Sequence, residues 1–240
     1  MKVLLFTKDI DFYASFIARA EEIFEDVKIV YPETHPRKKD ENYEEFIKDC
    51  SEFEPDLIIS FFYSRVIQRD LYEMPELAIN FHPSLLPNYA GSHALNWQLW
   101  NGEKEGGVTV HELEAGIDEG QILYQIRFPI DEENIVSLLK KSIKKSERLL
   151  LELKKDIKTE TLQKSPQKKT GTEFMCVKRT PADGEVTKEF SPLQIQNASR
   201  ALAHPWPGIF YYTTSGKQIT INREITDLEA RSIWRALNGE

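Results

Sequence analysis

Asn80, His82 and Asp118 carry an amide, an imidazole and a carboxylate, the three polar groups that acyl transfer to an amine would need. Attack by the amine creates a negative oxygen and a positive nitrogen, so catalysis needs an oxyanion donor and a group that handles a proton. The amide of Asn80 could donate to the oxyanion. The imidazole of His82 could either donate to it or take up the amine proton, and Asp118 would orient His82 or relay the proton.

The element that must position Asn80 and His82 is a short buried strand, predicted by the apolar run Leu77-Ala78-Ile79. Because the two residues are two positions apart, their side chains would project from one face at the C-terminal end of this strand. Open α/β sheets bind ligands at that end. Singly, each residue has another interpretation: a core or surface histidine, an Asx turn that ends the strand, and a turn that Asp118 shapes between two glycines.

Further motifs surround these residues in a fixed order. They are Asn80-Phe81-His82-Pro83-Ser84-Leu85-Leu86-Pro87-Asn88, Gly91, Trp97 and the segments 101–103, 107–111 and 116–120. Together they resemble the folate-dependent formyltransferase superfamily. That superfamily includes glycinamide ribonucleotide transformylase, methionyl-tRNA formyltransferase and the sugar-nucleotide N-formyltransferases. The resemblance extends from about Asp56 to Gln125, and a weaker one extends from Arg179 to Ile221.

The resemblance implies a reaction, a donor and a set of donor contacts. In the superfamily, the positions that match Asn80, His82 and Asp118 carry catalysis, and the formyl group comes from N10-formyltetrahydrofolate. Backbone groups of two loops hold the donor, so the sequence signature is weak, and Arg65 to Ile67 could instead simply begin a helix. The residues that would bind the donor are Tyr63, Ser64, Arg65, Val66, Ile67, Ile117 and Asp118.

The expected acceptor is a nucleotide-linked amino sugar. The loop Thr7-Lys8-Asp9-Ile10-Asp11 contains no glycine, which departs from the phosphate loop of glycinamide ribonucleotide transformylase. Methionyl-tRNA formyltransferase has a longer C-terminal barrel and basic surfaces. Here only residues 173–240 follow the predicted linker and the net charge is acidic, which disfavours a tRNA acceptor. Segments 179–184, 200–201 and 205–208 resemble sugar-nucleotide N-formyltransferases. The resemblance therefore favours a substrate such as dTDP-4-amino-4,6-dideoxyglucose, used for surface polysaccharide of the O-antigen and lipopolysaccharide kind.

Three residues are candidate contacts to this acceptor. Arg200 could bind the diphosphate, or form a surface ion pair instead. Trp206 and Tyr211 could stack on the base, or belong to a hairpin core. The alternative functions that remain are a glycinamide ribonucleotide or methionyl-tRNA formyltransferase, a formyltetrahydrofolate hydrolase and a non-catalytic folate-binding module. We expect no metal, because the histidines lack ligand spacing, and we expect His111 to support the site from a neighbouring strand.

Composition indicates a soluble enzyme that does not bind nucleic acid. The 240 residues can bury one sizeable core or one domain with a small appendage. The formal net charge of -8 and the pI near 5.3 disfavour a surface that must neutralise many phosphates. The N-terminal apolar run ends at Phe6, too short for a signal peptide or a membrane span, so we expect a cytoplasmic location. Cys50 and Cys176 form no disulfide framework.

The alternation of apolar runs and helical patterns predicts an α/β fold. We expect a Rossmann-like formyltransferase catalytic domain at 1–158 with a mostly parallel twisted sheet, a linker at 159–172, and a small C-terminal helix and β-hairpin region at 173–240. The hairpin should span 209–221 and mediate a homodimer. By resemblance, we also expect a cis peptide bond at Leu86-Pro87. The main elements predicted are strands at 3–6, 27–30, 57–60, 77–81, 108–112 and 122–129, and helices at 12–24, 43–50, 135–157 and 192–203.

Overall fold

The computed structural model describes residues 1–239, which form ten strands and seven α-helices. The strands are β1 (Lys2–Phe6), β2 (Asp26–Val30), β3 (Leu57–Phe61), β4 (Leu77–His82), β5 (Ala90–Gly91), β6 (Glu105–Glu112), β7 (Ile122–Pro129), β8 (Met175–Cys176), β9 (Ile209–Tyr212) and β10 (Gln218–Ile221). The helices are α1 (Ala14–Ile23), α2 (Tyr43–Glu52), α3 (Arg69–Tyr72), α4 (Ala94–Trp100), α5 (Ile135–Lys158), α6 (Pro192–Ala201) and α7 (Asp227–Asn238). Within residues 1–239, no helix is long and apolar enough to cross a lipid bilayer.

The sequence patterns missed helices α3, α4 and α7. Helix α4 is hard to recognise because Asn96 and Gln98 are buried along with its apolar residues, so its pattern is not amphipathic. Helix α7 begins with a capping box in which Thr226 and Glu229 satisfy each other's backbone N–H groups. The predicted first helix is split: a 3-10 turn at Asp11–Tyr13 precedes α1.

Two compact units, interleaved along the chain, make up the protein. The first contains residues 1–90, 107–127 and 142–174. The second contains 91–106, 128–141 and the chain from Met175 onward. This division differs from the consecutive domains predicted from the sequence, because 91–106 and 128–141 pack with the C-terminal segment. A separate functional role for residues 173–240 stays a prediction.

The first unit is built on a six-stranded sheet with the order β2-β1-β3-β4-β6-β7. Strands β2, β1, β3 and β4 are parallel, and β6 runs antiparallel to β4. The predicted mostly parallel α/β fold is confirmed. The chain goes from β1 to β2 on one side and returns to β3 on the other, so the strand order reverses between β1 and β3. In open sheets of this type, ligands bind outside the carboxyl ends of the strands at such a switch point.

Apolar side chains cover both faces of this sheet. All five residues of β3 are buried, as expected for a strand with packing on either side. On one face, the ring of Phe16 from α1 stacks on Phe61 with centroids 3.6 Å apart and meets Phe81 edge-on at 5.3 Å. On the other face lies a cluster of Leu4, Phe6, Val30, Cys50, Ile58, Ile67, Leu71 and Ala78. Close packing on both faces restrains the strands and therefore fixes the positions of their carboxyl ends.

The second unit contains α4, α6, α7 and the predicted hairpin, in which β9 and β10 pair antiparallel. Helix α6 begins at Pro192 after a capping box between Ser191 and Gln194. The guanidinium of Arg179 lies 4.3 Å from the ring centroid of Trp97 and 4.0 Å from that of Trp100. These cation–π contacts fasten the segment after β8 to α4.

Candidate active site

The pairing of β4 with β6 gathers the polar groups of the site. In this antiparallel register, Asn80 lies opposite His111 and His82 lies opposite Thr109. Directly opposite residues in an antiparallel pair have Cβ atoms about 4.5–5.5 Å apart on the same face. Four polar side chains therefore share one face at the carboxyl end of β4. Phe81, between them in sequence, points into the core and is fully buried.

Asn80 faces two acceptors that lie close to each other. Its Nδ2 is 3.1 Å from Nε2 of His111 and 3.1 Å from Oδ1 of Asp118, and those two atoms are 3.4 Å apart. They therefore subtend only about 65° at Nδ2, against roughly 120° between the two N–H bonds of an amide. This geometry favours one N–H bond that both acceptors share. The second N–H of Asn80 can then donate to a ligand oxygen.

The backbone fixes the tautomer of His111, which in turn fixes the orientation of Asn80. Nδ1 of His111 lies 2.7 Å from the carbonyl oxygen of Glu112. A carbonyl oxygen only accepts, so Nδ1 carries a hydrogen, and in a ring with a single hydrogen Nε2 can only accept. Nε2 therefore accepts from the amide nitrogen of Asn80, which prevents the opposite orientation of the amide. The structure places His111 on the strand next to β4, in contact with Asn80.

His82 is buried and has a protein partner at each ring nitrogen. Nε2 donates to the carbonyl oxygen of Tyr89 at 2.7 Å, and Nδ1 lies 3.3 Å from Oδ2 of Asp118. Burial lowers the pKa of His82, while the Asp118 carboxylate and the Tyr89 carbonyl oppose that shift and the nearby His111 adds to it. The imidazole is therefore mostly neutral at neutral pH. A proton taken up between Nδ1 and Oδ2 would form a buried ion pair.

This geometry separates the two roles considered for His82. Because Nε2 already donates to Tyr89, it does not offer a hydrogen to an oxyanion. The side chain is only 6% exposed, whereas that of Asp118 is 12% exposed. The arrangement supplies one N–H donor, from Asn80, and one proton acceptor, the Asp118–His82 pair.

The loop that carries Asp118 has an unusual backbone conformation. Asp118 adopts a φ of 54°, in the left-handed region, where aspartate is more common than most residues. Gly120 closes the loop so tightly that a Cβ atom there would lie 2.0 Å from the carbonyl oxygen of Glu112. The glycines around Asp118 thus shape the loop, and the carboxylate still reaches Asn80, His82 and His111.

The hydroxyl of Thr109 holds the segment that follows His82. It donates to the carbonyl of Ser84 at 2.7 Å and accepts from the backbone N–H of Leu86 and from Nε2 of Gln125. Gln125 also donates to the carbonyl of Leu86 at 3.0 Å. The peptide bond between Leu86 and Pro87 is cis, as predicted. The hydrogen bonds of Thr109 and Gln125 hold the segment that leads from His82 to Tyr89, whose carbonyl contacts His82.

The predicted donor loops belong to the first unit, where one follows β3 and the other follows β6. The segment from Tyr63 to Ile67 follows β3, which pairs with β4 in parallel and ends beside it. Tyr63 is anchored by its hydroxyl, 2.9 Å from Nδ1 of the buried His35, and Ile67 lies in the core. Burial lowers the pKa of His35 to about 4. Ser64 and Arg65 are exposed, as are the apolar side chains of Val66 and Ile117, at 66% and 63%.

Arg200, Trp206 and Tyr211 belong to the second unit. The guanidinium of Arg200 donates to the carbonyl oxygens of Glu133 and Asp131 at 2.8 and 2.9 Å. Trp206 is half-buried, and Tyr211 lies in the hairpin opposite Ile219. Arg200 therefore has a structural role in its own unit, and contact of these three residues with an acceptor stays a prediction.

Sequence reasoning missed three residues that hold the site. Thr109 lies inside a recognised motif, but its role depends on the register with His82, which sequence does not reveal. Gln125 lies at the end of the resemblance with no marked pattern. Gln167 lies in the polar stretch predicted as a linker, yet its Nε2 donates to the carbonyls of Asp118 and Gly120 at 2.7 and 2.9 Å.

The fold and this cluster agree with the family that the sequence matches. The formyl transferase family matches residues 4–153, which include Asn80, His82, Thr109, His111 and Asp118. The chain belongs to this family, and the resemblance deduced from the motifs is confirmed.

Among curated proteins, the chain is 34% identical over 240 residues to the bifunctional polymyxin resistance protein ArnA from Wigglesworthia glossinidia brevipalpis. That match covers 94% of this chain but 34% of ArnA, so the chain spans about a third of this relative.

Two solved structures illustrate the likeness of the fold. A 4-N formyltransferase from Francisella tularensis has a TM-score of 0.73 at 18% identity, covering 94% of this chain and 98% of that one. HypX from Aquifex aeolicus in complex with tetrahydrofolic acid has a TM-score of 0.71 at 20% identity, covering 92% of this chain and 37% of that one. At these identities the likeness establishes the fold.

The His82–Asp118 contact predicts the titration of the imidazole. In NMR titrations, His82 should titrate below the usual value of about 6.5, because burial disfavours its charged form. Asp118→Asn should lower the pKa of His82 further, since the carboxylate that favours imidazolium is lost. Glu114→Gln, an exposed change on the same loop, is the control and should have no effect. An unchanged or raised His82 pKa in Asp118→Asn would contradict the electrostatic role of Asp118.

Proposed function

We propose that this protein transfers a formyl group to the amino group of a small acceptor. The observation that carries the proposal is the available N–H of Asn80 beside the Asp118–His82 proton acceptor. In such a transfer the amine nitrogen attacks the formyl carbon, and the bond from that carbon to the donor nitrogen breaks. Asn80 would donate to the oxyanion. The Asp118–His82 pair would take the amine proton and return one to the departing nitrogen, so the protons balance.

The donor in this proposal is N10-formyltetrahydrofolate, which supplies the formyl group. The loops after β3 and before Asp118 suit a flat, partly apolar ring, because Val66 and Ile117 are exposed apolar residues. The solved structure of HypX with tetrahydrofolic acid, which has the same fold, supports this choice. Tyr63, held by His35, and Ile67, held by the core, would keep the loop in place for recognition by Ser64, Arg65 and Val66.

The acceptor we propose is a nucleotide-linked amino sugar, such as dTDP-4-amino-4,6-dideoxyglucose, made in the cytoplasm for surface polysaccharide. The name of the Francisella 4-N formyltransferase supports an amino group of this kind. The net charge of -8 disfavours a large RNA acceptor. The sequence motifs at 179–184 and 205–208 also support this acceptor, because they resemble those of sugar-nucleotide N-formyltransferases.

A cation at the switch point between β1 and β3 supports an acceptor with phosphate groups. Lys8 directly follows β1, and burial lowers its pKa. Within residues 1–239 its ammonium group makes no hydrogen bond or ion pair. The neighbouring Thr7 is fully buried, and its hydroxyl has no partner among the described residues. A diphosphate would satisfy this ammonium, since a poorly solvated cation is stabilised by an anion.

Asn80→Ala should lower kcat about 100- to 1000-fold, the usual effect of losing an oxyanion donor. His82→Ala should have a similar effect, because the pair then loses its proton acceptor. Both should leave tetrahydrofolate affinity within about threefold, since these groups act on charge that develops in the transition state. The assay is mass spectrometry of amino-sugar nucleotides incubated with N10-formyltetrahydrofolate, and exposed His204→Ala is the control. Equal loss of folate binding and turnover would oppose these roles, and no formylation by the wild type would refute the function.

Lys8→Met should raise the KM of the nucleotide-linked acceptor about 10- to 100-fold, the range for losing a charge-assisted hydrogen bond, and leave kcat nearly unchanged. Steady-state kinetics with the nucleotide-linked sugar and with the same sugar lacking its nucleotide would test this. The preference of the wild type for the linked sugar should shrink in Lys8→Met and persist in exposed Lys168→Met. An unchanged KM would place the phosphate groups elsewhere.

The homodimer is also part of the proposal, and the outer edge of β10 supports it. Thr213 N–H donates to the Lys217 carbonyl, so the alternation of antiparallel bonding turns the backbone groups of Gln218 and Thr220 outward. Among the described residues, β10 pairs only with β9. Beside it lies an open pocket of about 260 Å³ lined by Pro181, Ala182, Pro207, Gly208, Phe210, Gln218 and Thr220. A second copy could pair with this edge and fill the pocket.

Thr220→Pro should convert the dimer to a monomer, because proline removes an outward N–H without breaking the hairpin ladder. Thr220→Ala keeps that N–H and should stay dimeric. Light scattering after size-exclusion chromatography gives the molar mass of each protein. A monomeric wild type, or a Thr220→Pro protein that remains fully dimeric, would contradict an interface at this edge.

A further inference from the structure

The stretch from Lys164 to Lys169, hereafter the strap, belongs to the first unit and is joined there to β7 by an isolated β-bridge. Ile122 N–H donates to the Ser165 carbonyl at 2.8 Å, and Ser165 N–H donates back at 2.9 Å. This two-way bridge fixes the strap against the start of β7. The strap therefore follows the loop 113–121 that carries Asp118, although its polar sequence has the composition of a linker.

Ion pairs join the strap to both ends of that loop, and they are exposed. Lys164 lies 2.5 Å from Glu112, and Lys169 lies 2.6 Å from Glu119. Pairs of this kind contribute little to stability, because water and salt screen them. The more shielded contact between strap and loop is the one that Gln167 makes.

Gln167 uses its amide nitrogen on two carbonyls of the catalytic loop. Nε2 donates to the oxygen of Asp118 at 2.7 Å and to that of Gly120 at 2.9 Å. Its Oε1 atom is buried and has no hydrogen-bond partner within residues 1–239. A buried acceptor without a partner is unfavourable, so the two N–H bonds of Nε2 offset a cost that Oε1 carries. An apolar residue of similar size would avoid that cost but would leave both carbonyls without this donor.

We propose that Gln167 is a positioning residue that sets the place of the Asp118 carboxylate relative to Asn80 and His82. The amide clamps the carbonyls on both sides of Glu119, which limits rotation of the Asp118 backbone in its left-handed conformation. Oδ1 is thereby held 3.1 Å from Nδ2 of Asn80, and Oδ2 is held 3.3 Å from Nδ1 of His82. Glutamate would not replace it, because a carboxylate would repel both carbonyls.

The inference rests on the proposed function for its catalytic consequence, but it has an independent electrostatic one. The charged and titratable groups that face His82 are Asp118 and His111, with the Tyr89 carbonyl at Nε2. If the loop relaxes, the carboxylate moves away and favours the imidazolium less. The pKa of His82 should then fall further, and proton uptake by the pair should weaken.

The test compares Gln167→Met with Gln163→Met in the full chain. Methionine has a similar shape but no N–H donor. Gln163 is exposed in the same polar stretch and donates only to the Thr161 carbonyl, at 3.3 Å, so it is the matched control. NMR titration gives the His82 pKa, with the signal assigned by its loss in His82→Ala. Kinetics give kcat and KM, and thermal unfolding gives the folded fraction.

We expect Gln167→Met to lower the His82 pKa and to lower kcat about 10- to 100-fold, since a misplacement near 1 Å can cost that much. Its acceptor KM should change less than kcat, and Gln163→Met should match the wild type. A wild-type His82 pKa in well-folded Gln167→Met would overturn the inference, as would a loss of kcat no larger than the loss of folded protein. If the wild type does not transfer formyl groups, the pKa comparison still decides the role of Gln167.

Discussion

The antiparallel pairing of β6 with β4 is the interaction on which the site depends. It places His111 beside Asn80 and Thr109 beside His82, on the face opposite the buried Phe81 and Val110. A slip of one residue would turn β6 over and bring Val110 to the site in place of His111. The core prevents such a slip, because it would bring polar side chains against Phe16 and Phe61.

Within this frame, burial and charge act against each other at His82. Burial disfavours the imidazolium, while the Asp118 carboxylate and the Tyr89 carbonyl favour it. The balance favours a neutral ring, and in the proposed reaction this ring would accept the amine proton beside a carboxylate that can stabilise the resulting ion pair. His111 adds to the lowering of the His82 pKa, and with its Nδ1–H held by a backbone carbonyl it also orients Asn80 through Nε2.

The sequence was informative where a local pattern determines the structure. The run before Asn80 predicts a buried strand, and a spacing of two places Asn80 and His82 on one face, because side chains alternate along a strand. The residues of the strap show the limit. Nothing local distinguishes Gln167 from Gln163, and only the pairing of Ser165 with Ile122 brings one of them to the catalytic loop. Helix α4 was missed for a related reason, since its buried Asn96 finds its partner at Ala201, far along the chain.

The central claim is that the second N–H of Asn80 donates to the oxygen of the formyl group. A crystal structure with both substrates tests it most directly. The crystal would contain the wild-type protein, a formyl-folate analogue that cannot transfer its group, and an amino-sugar nucleotide. We predict that the formyl oxygen lies about 3 Å from Nδ2 of Asn80, with the amine directed toward the Asp118 carboxylate. A formyl group bound out of reach of Asn80, with its oxygen held by other donors, would contradict the account.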